Sequence, residues 1–267
     1  MSAAVRTLPA RAEVWRGLDD VPTDLGPTVL TVGVFDGLHR GHRSLIERAR
    51  RRADDRALPL VMVTFDPHPA RVLGLSKDTA VLSTISHRAE LAADAGVDAV
   101  CVLRFTRDLA QQSPEDFVAH HLAGRLRGSE IVVGANFTFG AGAAGDVGTL
   151  HELGAQHGFS VESVPLLPAK GGTCSSTYTR GCLRSGDLQE VARVLGRPHR
   201  VDGLRAVDRI TVAADTALPP AGRYRAMLST VAVLVDVLDD GSLRVVDAPP
   251  GDGVVTVTFL ERAEAVS

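Results

Sequence analysis

From Thr28 to about Val164 the chain alternates short apolar runs with stretches whose apolar residues recur every three or four positions. "TVLTVGVF" (28–35) reads as a buried strand, and "GHRSLIERARRRADDR" (41–56) as an amphipathic helix with Leu45, Ile46 and Ala49 on its inner face. "LPLVMVTF" (58–65) is the next strand, followed by a helix in "STISHRAELAADAG" (83–96), which opens on Ser/Thr caps and stops at a glycine. "VDAVCVLRF" (97–105) is a strand, and "SPEDFVAHHLAGRL" (113–126) a helix with proline in its first turn. "SEIVVGANF" (129–137), "GTLHELGAQHG" (148–158) and "FSVESVPLL" (159–167) continue as strand, helix and strand. Strands separated by helices imply βαβ crossovers and a parallel sheet, with ligands beyond the carboxyl ends of its strands.

After Pro198 the texture changes. "RITVAAD", "RYRAMLS", "VAVLVDVLDDGSLRVVD" and "VVTVTFLE" are β-type runs separated by Pro-Pro, Asp-Gly and Gly-Asp. The pattern predicts an α/β domain over 13–198 and a small antiparallel β domain over 199–267.

Composition narrows the function. Hydrophobic residues make up 45% of the 267 and aromatics 4%, so the core is built mainly from Ala, Val and Leu. The net charge of −3 argues against a nucleic-acid-binding surface. Cys101, Cys174 and Cys182 form no C-x-x-C pair, which disfavours a disulfide framework or a zinc site. "MSAAVRTLPARAEVWRG" has no apolar h-region, and no apolar run reaches the ~20 residues of a membrane span. A cytoplasmic protein that engages no membrane is expected, and the oligomeric state is left open.

The chemistry concentrates in "GVFDGLHRGH" (33–42), where a strand meets a helix. Three readings compete for His39-Arg40-Gly41-His42. A metal site would need further ligands at familiar spacing, and no H-E-x-x-H or cysteine cluster supplies them. Two solvent-facing helix-cap histidines are the plain alternative. The third is a phosphate site. A helix start offers unpaired N–H groups and partial positive charge, and Gly41 removes a side chain that would hold a phosphate away.

The segment resembles the G-x-F-D-G-x-H-x-G-H signature of nucleotidylyl transferases, in the form found in the FAD synthetase module of bacterial bifunctional riboflavin kinase/FAD synthetases. "VTFDPHPARVL" (63–73) is similar to that family's T-F-(D/E)-P-H-P segment, and "VVGANFTFGAGAAGD" (132–146) to its V-G-x-(D/N)-F-x-F-G loop. "CSSTYTRGCLRSGDLQEVARVLGRPHRVDG" (174–203) is similar to its S-S-T-x-x-R segment and the run into L-G-R-P. The resemblance, carried by these four motifs in order, covers about residues 13 to 203.

The resemblance implies a Rossmann-like nucleotidylyl transferase domain that makes FAD and pyrophosphate from FMN and ATP with Mg2+. His39, His42, Ser176, Thr177 and Arg180 would be the catalytic groups. Gly33, Phe35, Asp36, Gly37, Gly41 and Ser175 would join them in holding ATP. Asp66, Pro67, His68, Pro69, Asn136, Phe137 and Phe139 would bind the flavin. Phe137 and Phe139 alternate, so one should face the core and the other the isoalloxazine. Magnesium would be held by phosphate oxygens and water rather than by a protein cage. "GAGAAGD" (140–146) could equally be a flexible surface loop.

Two departures stand out. Tyr178 occupies the place of the first arginine in the family's S-S-T-R-I-R form, which leaves Arg180 as the expected cation of that loop. The tail lacks the family's glycine-rich kinase segment and P-T-A-N, so it reads as a remnant barrel without riboflavin kinase activity. Truncation after Asp202 is expected to reduce solubility or change the oligomeric state while sparing most adenylyl transfer. The alternatives are a paralogue acting on another phosphorylated acceptor, or a non-catalytic flavin- or nucleotide-binding protein.

Overall fold

The computed structural model describes residues 12–247 and 249–263; most of the N-terminal segment read for a leader, residues 1–11, lies outside them. Six strands form one parallel sheet: β1 (Glu13–Trp15), β2 (Thr28–Val32), β3 (Leu60–Asp66), β4 (Ala99–Arg104), β5 (Gly128–Gly134) and β6 (Ser160–Val164). Their spatial order is β1-β4-β3-β2-β5-β6. All five residues of β2 are buried, and five of the six in β4, because a parallel sheet is covered on both faces. Leu30, Val32, Val61, Val63, Cys101, Leu103, Ile131 and Val133, alternate residues of four strands, form one core with Phe117, Leu122, Leu126, Leu150 and Leu153. Each such side chain stabilises the fold by about 1.5–3 kcal/mol relative to exposure. The strand order reverses at β2, where β3 and β5 flank it, so the crevice for a ligand opens beyond the ends of β2 and β5.

The predicted helices form with local differences, and the short helices Pro69–Val72 and Arg107–Ala110 are additional to them. Arg40–Arg56 buries Leu45, Ile46, Ala49 and also Ala53. The expected helix 113–126 is α-helical only over Pro114–Phe117 and continues as a π-helix over Val118–Arg125. Gly124 permits the wider coil, since a Cβ there would stand 2.5 Å from the carbonyl oxygen of Ala119, five residues back. β2 ends at Val32 rather than Phe35, because Phe35 turns the chain at φ 52°. β1 is an element the sequence pattern did not show.

The C-terminal region opens with a short hairpin, β7 (Pro168–Ala169) and β8 (Gly172–Thr173). A closed six-stranded antiparallel barrel follows: β9 (His199–Ala206), β10 (Arg209–Thr211), β11 (Gly222–Leu228), β12 (Val231–Val237), β13 (Leu243–Val245) and β14 (Gly253–Arg262). Closure removes the free edges that a β-unit of this size would otherwise expose. β9 is a further strand missed in the sequence. It runs through Asp202, so a truncation there would cut a barrel strand rather than remove an appendage.

The chain divides into two compact units. The first holds the described residues up to Phe35, then Gly41–Lys77 and Ile85–Leu167. The second holds Asp36–Arg40, Asp78–Thr84 and the described residues from Pro168 onward. Its core joins barrel residues such as Val201, Tyr224, Val235 and Phe259 to Leu183, Leu188, Val191 and Leu195 of two helices, and to Leu82. The five-residue turn that carries His39 therefore clusters with the barrel.

Candidate active site

Within the second unit, residues 36–39 are anchored by three segments remote in sequence. The Asp36 carboxylate accepts from the backbone N–H of Leu82 (3.0 and 3.1 Å to its two oxygens) and of Ser83 (3.0 Å). It also forms an ion pair with Arg180 at 2.6 Å, both side chains being 3% exposed. Arg180 Nε donates to Ala80 O at 2.6 Å. Gly37 N–H donates to Ser83 Oγ at 2.8 Å, and Ser176 Oγ donates to Asp36 O at 2.8 Å. Arg197 donates to Gly37 O (2.6 Å) and Leu38 O (3.3 Å). Gly37 at φ 74° and Leu38 at φ 37° make the sharp reversal that delivers His39 to the start of the helix Arg40–Arg56.

His39 is buried, with Nδ1 3.8 Å from the Cys174 thiol, whose sulfur lies 3.5 Å from Val194 O. Burial lowers its pKa from 6.5 to about 4; Asp36 opposes that shift and Arg197 adds to it. His39 is accordingly a neutral imidazole at pH 7. His199, buried in the barrel with Nε2 2.8 Å from Ala217 O, is lowered to about 4 by the same desolvation.

These two histidines make stability fall in acid. Above pH 6.5 neither the folded nor the unfolded form carries the proton, and the stabilisation is complete. Below it, the unfolded chain takes up protons that the folded chain accepts only near pH 4. At pH 5 each histidine removes about 2 kcal/mol. Thermal midpoints measured from pH 7.5 to 5 should decline, and His199→Gln should flatten the decline; an equally steep slope in that variant would contradict the assignment.

The S-S-T segment opens the helix Ser176–Arg184. Ser175 is its N-cap, accepting from Tyr178 N–H at 3.1 Å, while Thr177 is exposed. Arg180, expected as the free cation of this loop, is instead committed to Asp36 and Ala80. Tyr178 Oη donates to the buried Glu190 carboxylate at 3.2 Å, and its ring lies against Gly171. An arginine at 178 would meet Glu190, which already pairs with Arg193.

Within the first unit, His42 occupies the first turn of its helix, with its ring centroid 5.0 Å from that of the buried Phe35. The Phe35 ring fills the space beside Gly33, where a Cβ would come within 3.2 Å of it. Asp66 and Pro67 are exposed at the end of β3. His68 caps the helix Pro69–Val72, its Nδ1 accepting from Ala70 N–H at 3.1 Å. After β5, Asn136 is exposed and Phe137 half-buried; Phe139 lies in the core, with Phe137 stacked on it at 5.4 Å. The glycine-rich loop is ordered through paired hydrogen bonds between Phe139 and Gly145 (2.9 and 3.0 Å).

Three positioning side chains escaped the sequence reading. Ser83, read as a helix cap, serves Gly37. Arg197, in L-G-R-P, serves Gly37 and Leu38. Arg88 donates to Val34 O and Thr64 Oγ1, both at 2.9 Å, beneath the strand end that leads to the turn. No local signal marks them, because the groups they hold at the turn and beneath it are remote in sequence. Among the described residues no group of three His, Cys, Asp or Glu side chains is placed to hold a metal ion. No helix among them is long and apolar enough to cross a membrane.

A parallel α/β sheet whose second strand leads into an H-x-G-H turn at a helix start has the build of a nucleotidyltransferase. A family model described as FAD synthetase matches residues 21–178. A FAD synthetase of Listeria monocytogenes is 32% identical over 223 residues, covering 83% of this chain and 88% of that one. The chain belongs to the FAD synthetase family. The bifunctional riboflavin kinase/FMN adenylyltransferase of Escherichia coli K12 is 34% identical over 175 residues, 66% of this chain. The chain spans only about half of that relative's length, 56%. The enzyme of the same description from Pseudomonas fluorescens is 33% identical over 229 residues, 85% of this chain and 73% of that one. A solved structure, a macrolide-efflux protein from Streptococcus pneumoniae, shares the fold at TM-score 0.81 and 21% identity, covering 96% of this chain and 92% of that one.

Proposed function

We propose that the protein transfers the AMP group of ATP to the phosphate of FMN, giving FAD and pyrophosphate. The observation that carries this reading is the anchored turn, which sets His39 and His42 at a helix start. A phosphate monoester has its second pKa at about 6, so the FMN phosphate is already an adequate nucleophile at pH 7 and needs no strong base. Catalysis then rests on position and on stabilising charge at the α-phosphorus. His39 and His42 donate to phosphate oxygens. A triphosphate beside the neutral His39 raises its pKa, so the imidazole gains a proton and a second donor as nucleotide arrives.

The other residues divide by what their polar atoms already do. Asp36, Ser176 and Arg180 hold the turn, while Ser175 orders the helix start and Thr177 offers an exposed hydroxyl to a phosphate. On the flavin side, Phe137 provides a ring for the isoalloxazine and Asn136 a donor and acceptor for its edge. Magnesium fits this site as part of the nucleotide, since the Asp36 carboxylate is filled by Leu82, Ser83 and Arg180. The ion would neutralise charge on the departing pyrophosphate.

The reading includes no riboflavin kinase activity. Between Gly203 and Leu218 the chain has 14 residues and no glycine, so it lacks the usual means of bringing several backbone N–H groups onto a triphosphate. The match over 88% of a relative named only FAD synthetase supports this. Three scattered free cysteines suit the reducing cytoplasm, where we place the reaction.

With ATP and magnesium, FMN should yield FAD while riboflavin yields no FMN, as resolved by chromatography of the flavins. EDTA should stop the reaction, magnesium should restore it, and the thermal midpoint should move little. FMN formed from riboflavin would overturn the kinase part. A preference for another nucleotide or acceptor would favour the paralogue reading.

A further inference from the structure

The anchored turn contains one contact that neither the resemblance nor the proposed reaction assigns. Gly37 and Leu38 are consecutive residues in the left-handed region. Glycine adopts it freely, but a leucine there costs about 1–2 kcal/mol. The fully buried Leu38 side chain helps hold it, and so does the capture of its carbonyl. Arg197 Nη2 donates to Gly37 O at 2.6 Å, and Nη1 donates to Leu38 O at 3.3 Å and to Leu195 O at 3.1 Å. One planar guanidinium therefore ties both left-handed carbonyls to the end of the helix Leu188–Leu195. Gly196 ends that helix at φ 74°, and the barrel strand β9 begins two residues beyond Arg197.

We propose that Arg197 is a positioning residue for adenylyl transfer: its guanidinium fork fixes the Gly37–Leu38 reversal and thereby the placement of the His39 imidazole. Arg197 stands in the link between the helix Leu188–Leu195, which shares a core with the barrel, and strand β9, so the barrel braces the turn through that helix and link. This is a use for the C-terminal barrel that needs no catalysis of its own. The inference rests on the adenylyl-transfer reading above. It predicts a difference between arginine and lysine, because an ammonium matches the charge but cannot span carbonyls on two sides as a rigid fork does. The charge also acts separately, being one of the influences that keep His39 neutral, together with burial and against Asp36.

The test compares Arg197→Lys and Arg197→Met with the unaltered chain, assayed well below their thermal midpoints. Arg197→Met should lose about 10- to 100-fold in kcat, with a smaller change in the KM for ATP, because the turn is misplaced rather than the nucleotide released. Its His39 imidazole should titrate at higher pH, as followed by NMR. Arg197→Lys should restore much of the His39 titration yet remain well below the unaltered kcat. Both variants within threefold of the unaltered kcat, or a loss in Arg197→Met with His39 titrating unchanged, would overturn the inference. Failure of the unaltered chain to make FAD would instead count against the proposed function, and the NMR comparison would still report on the turn.

Discussion

His39→Ala and His42→Ala each lower the rate of FAD formation by about two to three orders of magnitude, the usual effect of removing a donor that stabilises transition-state charge. The two should differ in their effect on the fold. His42 is half-buried in the first turn of a long helix, and alanine there keeps the helix intact. His39 is buried beside Cys174, so its replacement leaves a cavity and lowers the thermal midpoint as well. Initial rates at saturating FMN and ATP, with circular dichroism of each variant, check both parts. Less than a fivefold loss in both would remove the phosphate-binding role from the turn.

Breaking the Asp36–Arg180 pair should produce the largest loss of stability. Both side chains are 3% exposed and 2.6 Å apart, so removing either partner leaves a charge buried without its counter-charge. Such a break costs about 3–5 kcal/mol. Asp36→Asn or Arg180→Met should therefore lower the denaturation midpoint sharply, and the double variant should be milder than the sum of the two. If Arg180 instead reached the triphosphate, Arg180→Met would raise the KM for ATP with stability unchanged. Denaturant unfolding of the three variants distinguishes these results.

The sheet was legible because β2 through β5 are apolar runs buried on both faces, and punctuated helices separate them. β1 was not, since three residues carry no periodicity. The barrel was legible as antiparallel strands, but β9 was hidden: "HRVDGLRA" buries the polar His199 and Arg205 while exposing Leu204 and Ala206, which inverts the usual pattern. At the site, alternation implies that one of Phe137 and Phe139 faces the core, because period two is a property of the local backbone. Which of them does so is set by the tertiary fold, which buries Phe139 and leaves Phe137 partly open. The anchoring of the turn could not be read in the same way. Gly37 meets Ser83 across 46 positions and Arg197 across 160. Arg180 looked like a free cation because its partner stands 144 positions away. A side chain's chemical type can be read from sequence, but whether it is already committed to a partner depends on the tertiary fold.

The most direct test of the central claim follows the phosphorus. The protein is supplied with FMN, magnesium and ATP labelled at the α-phosphate, and the label is traced alongside the pyrophosphate released. Adenylyl transfer predicts label in FAD, with one pyrophosphate formed for each FAD and no labelled ADP. Labelled ADP, or AMP released without FAD, would contradict it.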